Sequence, residues 1–182
     1  MTRSRGLGDV YKRQLFSCET SNMEVQVKGG EVALGNNKGS KFYIAPDENV
    51  EIVKKLISSY NNMDLDGIYE VCNDSVMWFA PKLDKPVVAD RPFMEAYFSE
   101  YDSVNQVVQG YIPHQYEGQE AVVVSVASRE KKYKKDGTVE DERLFERFFI
   151  IDKKITRVMA WSAEWYTNCL LYTSPSPRDL VI

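Results

Sequence analysis

The chain has 182 residues, 43% hydrophobic and 27% charged, which is the profile of one globular domain. No apolar run approaches the roughly 18 residues of a membrane-spanning helix. One histidine and three cysteines leave little material for a zinc site or a disulfide framework. A net charge of −4 argues against nucleic acid, which is bound through clustered Lys and Arg, so no nucleic-acid partner, metal or cofactor is expected.

The two ends read as one DNA element in opposite orientations. Asp9-Val10-Tyr11-Lys12-Arg13-Gln14 can be encoded on a strand whose complement, one base out of phase, encodes Cys169-Leu170-Leu171-Tyr172-Thr173-Ser174. The element resembles the adapter of a transposase-based sequencing library, translated with a short metagenomic fragment. Residues 1–14 and 169–182 are therefore expected to be adapter-derived and to lie outside the fold. These ends hold more basic than acidic residues, so the remainder is more acidic than the whole chain.

Leu15-Phe16-Ser17-Cys18, followed by polar Glu19-Thr20-Ser21-Asn22, resembles a truncated bacterial lipobox, with Cys18 as the lipidated residue. It implies an exported lipoprotein facing the periplasm or cell surface, touching the membrane only through its lipid anchor. Without such an anchor the chain would be cytoplasmic. Residues 19–46, with Gly29-Gly30, Gly35-Asn36-Asn37 and Gly39-Ser40, read as a tether, so 15–46 is expected to be lipobox and tether.

A domain over 47–168 follows. Asp47 is placed to cap a helix whose apolar face carries Val50, Val53, Leu56, Ile57 and Tyr60. Asp64 can cap a second helix through Cys72, a residue expected to be a buried free thiol. Asn73-Asp74 reads as a turn and Ser75–Ala80 as a strand ended by Pro81. A third helix is expected near Arg91–Tyr101, with Pro92 in its first turn and Phe93, Tyr97 and Tyr101 along one side. Strands are expected at Val104–Tyr111, Glu120–Lys132, Arg143–Asp152 and Ile155–Trp161, with a hairpin at Asp136-Gly137 and a turn at Lys153-Lys154. Helices followed by a meander predict an α+β fold, three N-terminal helices on a curved antiparallel sheet.

The order of elements, with Tyr60…Met63-Asp64-Leu65-Asp66…Cys72-Asn73-Asp74-Ser75-Val76-Met77-Trp78, resembles the nuclear transport factor 2-like superfamily, especially its SnoaL-like branch. The resemblance implies a cone, or cystatin-like roll, around one apolar pocket, and a homodimer formed through the sheet. The superfamily holds isomerases, cyclases and dehydratases beside noncatalytic binding domains, so fold alone does not settle function. The isomerase branch implies a carboxylate base near Trp78-Phe79-Ala80-Pro81, and SnoaL-like relatives often carry a histidine on that strand. Neither is present here.

A cone would gather Trp78, Phe79, Tyr97, Tyr111 and Trp161 as a ligand-binding wall, with Glu146, His114 and Tyr60 as the groups able to carry catalysis. Glu146 shares a strand face with Leu144, Phe148 and Ile150, where burial would raise its pKa. The alternative is structural: Glu146 pairs with Arg129 or Arg157, and Glu146→Gln then lowers stability by about 1 to 3 kcal/mol. His114 is otherwise loop surface, and Lys131-Lys132-Tyr133-Lys134-Lys135 a solvated hairpin tip. Two readings stand. One is a domain that binds an apolar or aromatic small molecule, or a partner, without catalysis; the other is a cofactor-independent isomerase, cyclase or dehydratase. The missing strand carboxylate favours the first. Polar groups converging on the pocket would favour the second.

Overall fold

A computed structural model describes residues 26–81 and 83–164. The ends expected to be adapter-derived, 1–14 and 169–182, and Cys18 lie outside the described residues. Helix α1 spans Glu48–Asn61 and buries Val50, Val53 and Ile57. Asp47 does not cap it. Its backbone is already helical (φ −65°, ψ −18°) and its side chain makes no capping hydrogen bond. The Pro46 carbonyl holds the first turn instead, accepting from the backbone N–H of Asn49 at 3.3 Å and from its Nδ2 at 3.2 Å. Asp64 does cap α2, Leu65–Val71: its carboxylate accepts from the Gly67 N–H at 3.1 Å. A lost cap of this kind costs about 1 kcal/mol. Asp64→Ala should therefore lower stability by about that amount in urea titration, and Asp47→Ala by clearly less.

The chain passes from α2 straight into β3, Cys72–Phe79. Asn73-Asp74 does not form the expected turn. These residues lie exposed in the stretch between Cys72 and Met77 where the pairing of β3 shifts register. A strand the sequence did not announce, β4 (Val87–Asp90), pairs with β3 and ends on Asp90, whose side chain caps α3, Arg91–Ser99, through the Phe93 N–H. Three long strands follow, β5 (Tyr101–Tyr116), β6 (Val122–Lys134) and β7 (Val139–Ile151), then β8 (Lys154–Glu164). Gly137 turns β6 into β7 with φ +88°. Asp152 and Lys153, both at positive φ (49° and 61°), turn β7 into β8, one residue earlier than expected.

Two short strands precede the helices: β1, Lys28–Glu31, and β2, Lys41–Ile44. They form a hairpin whose β2 pairs with the far end of β5, Ile44 opposite His114. This part of the expected tether is therefore part of the sheet. Gly29-Gly30 looked like flexibility, but its role is space: a Cβ at Gly29 would stand 2.9 Å from the Phe42 ring. Among the described residues the sheet has eight strands in the order β1-β2-β5-β6-β7-β8-β3-β4. It is mixed, because β3 runs parallel to β8. All three helices pack against one face, and Val53, Val124, Val126 and Ile155 between the layers are essentially fully buried. The architecture is the α+β class expected.

Candidate functional site

The inner face of the long strands changes character along its length. On β6 the alternate residues Val124 and Val126 are apolar core, and the same row continues as Ser128, Glu130 and Lys132. The row thus leads from packed core into a cavity of about 140 Å³ between sheet and helices. Ile68, Val76, Ala89 and Met94 supply apolar wall, and Trp78 stands edge-on to both Phe93 and Tyr97. Gln106, Glu130, Lys132, Glu142 and Glu146 make a polar floor.

Part of that floor is a closed ring of hydrogen bonds. Tyr60, at the end of α1, donates to Glu130 Oε1 at 2.8 Å. A tyrosine has one proton, so the 3.1 Å contact between the Tyr60 and Tyr97 hydroxyls runs from Tyr97 to Tyr60. Lys132 Nζ donates to Tyr97 Oη at 3.4 Å and closes the ring on Glu130 Oε2 at 3.3 Å. A second carboxylate, Glu140, lies 3.1 Å from the same ammonium. Burial alone would lower the Lys132 pKa, but the neighbouring carboxylates outweigh it and raise the pKa. Burial, reinforced by Glu130, raises Tyr60 well above the ordinary phenol value, and burial likewise raises Tyr97. The two tyrosines therefore stay neutral and Lys132 stays charged at neutral pH. Their protons are spent on one another.

Gln106, on β5, joins this floor to Glu146. Its backbone is clasped by the Asn61 side chain, which accepts from the Gln106 N–H at 2.7 Å and donates to its carbonyl at 3.0 Å. Its Nε2 donates to Ser128 Oγ at 2.9 Å and to Glu146 Oε2 at 2.5 Å. Glu146 is 9% exposed. Its pKa is pushed up to about 8, first by burial and then by Glu130; the Gln106 bond and Lys132 oppose the shift only in part. The cavity lining holds three carboxylates, Glu130, Glu142 and Glu146, beside a single ammonium. With its pKa at about 8, Glu146 is mostly protonated at neutral pH.

Tyr60, Trp78, Tyr97 and Glu146 are thus brought together as expected. The other candidates are not. Phe79 follows Trp78 and points to the opposite face, where it borders a surface groove with Met159 and Trp161. Trp161 is 47% exposed and packs beside Phe145. Its place in the cavity is taken by Val158 and Ala160, because Thr156 is an extra residue in β8 between the pairs Ile150–Ile155 and Phe149–Arg157. Counting by twos from buried Ile155 reaches Trp161; the bulge shifts the count by one. Tyr111 packs on the core outside the cavity lining, under the Lys54 ammonium. His114 is not loop surface: it is 6% exposed on β5, between the rings of Phe42 and Tyr116, on the sheet face away from the cavity. Burial lowers its pKa. The expected ion pairs of Glu146 do not form either. Arg129 binds Asp141 at 2.7 and 2.5 Å, and Arg157 stacks on Phe149.

Gln106, Glu130, Lys132 and Glu142 are site residues that the sequence reading missed. The alternation from Val124 to Lys132 could have found two of them, but the lysine-rich run looked like a solvated tip. In the fold the Lys132 side chain is only 12% exposed. Among the described residues no cluster of His, Cys, Asp and Glu is placed to hold a metal ion.

No protein-family model matches the chain, and no curated protein matches it. Solved structures do. A candidate aromatic ring hydroxylase from Novosphingobium aromaticivorans is 16% identical with a TM-score of 0.54, over 66% of this chain and 96% of its own. A candidate ketosteroid isomerase from Kribbella flavida is 14% identical with a TM-score of 0.51, over 76% of this chain and 91% of its own. A nuclear transport factor 2-like protein of unknown function from Burkholderia pseudomallei is 13% identical with a TM-score of 0.49, over 62% and 88%. At these identities the likeness to the first two shows a shared α+β fold and leaves the chemistry to the residues.

Proposed function

We propose that the cone binds a small, mostly apolar molecule carrying one hydrogen-bond acceptor, such as a ketone, without catalysis. The observation that carries this is the Glu146 carboxyl, buried at the floor of an apolar-walled cavity; with burial pushing its pKa up to about 8, it has an O–H to donate below that pH. The tyrosines and Lys132 contribute a satisfied wall, because their protons already serve the ring. A cavity of about 140 Å³ suits a ligand roughly the size of benzene. Calorimetric titration with cyclohexanone and with benzene tests the idea. At pH 6 cyclohexanone should bind about tenfold more tightly than benzene, and the preference should vanish at pH 9 and in Glu146→Leu. Equal affinity for the two at pH 6, or no binding of either, would defeat it.

Acid–base catalysis is the second reading. One observation favours it: Glu146 ionises close to neutral pH, the range in which a carboxyl can both give and take a proton. Turnover of an enolisable ketone by the parent, lost in Glu146→Gln while cyclohexanone still binds, would replace the binding reading with this one.

A further inference from the structure

The outer face of the sheet carries two guanidiniums around one aromatic ring. Arg147 on β7 and Arg157 on β8 flank Phe149, which pairs directly with Arg157. The Arg157 guanidinium carbon lies 3.7 Å from the centre of the Phe149 ring, and that of Arg147 lies 5.5 Å from it. Arg147 also donates to Tyr116 Oη at 2.5 Å and lies over that ring. Arg147 is half-buried and Arg157 is exposed. Arg91 and Arg129 each have a carboxylate partner, Asp66 and Asp141. Among the described residues Arg147 and Arg157 have none, although the chain carries 27 acidic residues against 23 Lys and Arg. Burial, and then the charge of Arg147, lower the pKa of Arg157. Two like charges are held together by aromatic stacking, and nothing described neutralises them.

We propose that Arg147 and Arg157 form a binding site for an oxyanion, a carboxylate or phosphate group, on the sheet face opposite the cavity. Stacking on Phe149 and Tyr116 fixes the planes of the two guanidiniums, and a planar fork offers paired N–H donors that match two oxygens of one anion. An anion between them would relieve their repulsion, which a neutral ligand would not. Ile112, Phe145 and Trp161 lie exposed on the same face, so the oxyanion can be a free ion or a side chain of an acidic protein segment.

The test follows the side-chain Nε–Hε NMR signals of Arg147 and Arg157 in the full chain at low salt. The additions are sodium phosphate and, separately, a triglutamate peptide. Phosphate or the peptide should shift both signals saturably, with weaker affinity in added NaCl. Either Arg147→Gln or Arg157→Gln should weaken binding about tenfold or more, and Arg157→Lys, which keeps the charge without the fork, should weaken it less. Saturation by both additions identifies a site open to free ions; saturation by the peptide alone identifies an acidic segment. No saturable shift with either addition, or equal binding by an Arg147→Gln/Arg157→Gln variant that keeps the parent's circular dichroism, would overturn the proposal.

Discussion

Glu146→Gln should abolish a pH dependence of stability rather than weaken the fold. The folded carboxyl titrates at about 8 against an ordinary value of 4.5, so between those values the native state holds a proton that the unfolded chain has released. Stability from this site is therefore greatest below about pH 4.5 and is lost as pH rises through about 8, at up to about 1.4 kcal/mol per pH unit. Glutamine has nearly the shape of a protonated glutamate and does not titrate. In urea titrations the variant should match the parent near pH 5 and exceed it by several kcal/mol near pH 9. This reverses the loss expected from sequence, which supposed an arginine partner. A variant less stable than the parent at pH 9 would show that an ionised Glu146 is paired after all.

Lys132→Met should be the most damaging single change in the cavity. The ammonium lies between Glu130 at 3.3 Å and Glu140 at 3.1 Å, and both its own side chain and that of Glu130 are almost wholly buried. Removing the cation leaves buried negative charge without a counter-ion and opens the ring at Tyr97, a loss of about 3 to 5 kcal/mol. The double variant Lys132→Met/Glu130→Gln should recover a substantial part of that, because it removes the orphaned charge as well. Additive losses in the two single variants and the double would mean that the pair does not interact across the cavity.

The elements that could be read from sequence are those fixed by local rules: the apolar face of α1, the Asp64 cap, the long alternating strands and the Asp136-Gly137 hairpin. The misreadings share one cause, non-local pairing. Gly29-Gly30 reads as a linker until Phe42 is known to pack on it, and Asn73-Asp74 reads as a turn until β3 finds β8. The site was half legible for the same reason. Tyr60, Trp78, Tyr97 and Glu146 each stand on an apolar face, so burial could be inferred one residue at a time. Glu130 and Lys132 are charged and sit beside a run of lysines; only the neighbouring strands and helices reveal that they face inward. Trp161 fails differently, since period-two counting is valid only while the ladder is regular.

That irregularity makes the interior adjustable. The bulge at Thr156 sets which residues of β8 face the helices: with it, small Val158 and Ala160 line the hollow; were the same residues paired in a regular ladder, Met159 and Trp161 would occupy those positions. A one-residue slip in the pairing of β8 thus exchanges an open vessel for a plugged one while the strand keeps its place between β7 and β3. The capacity of the interior is therefore set by backbone pairing in β8, with the polar floor on β5, β6 and β7 left untouched.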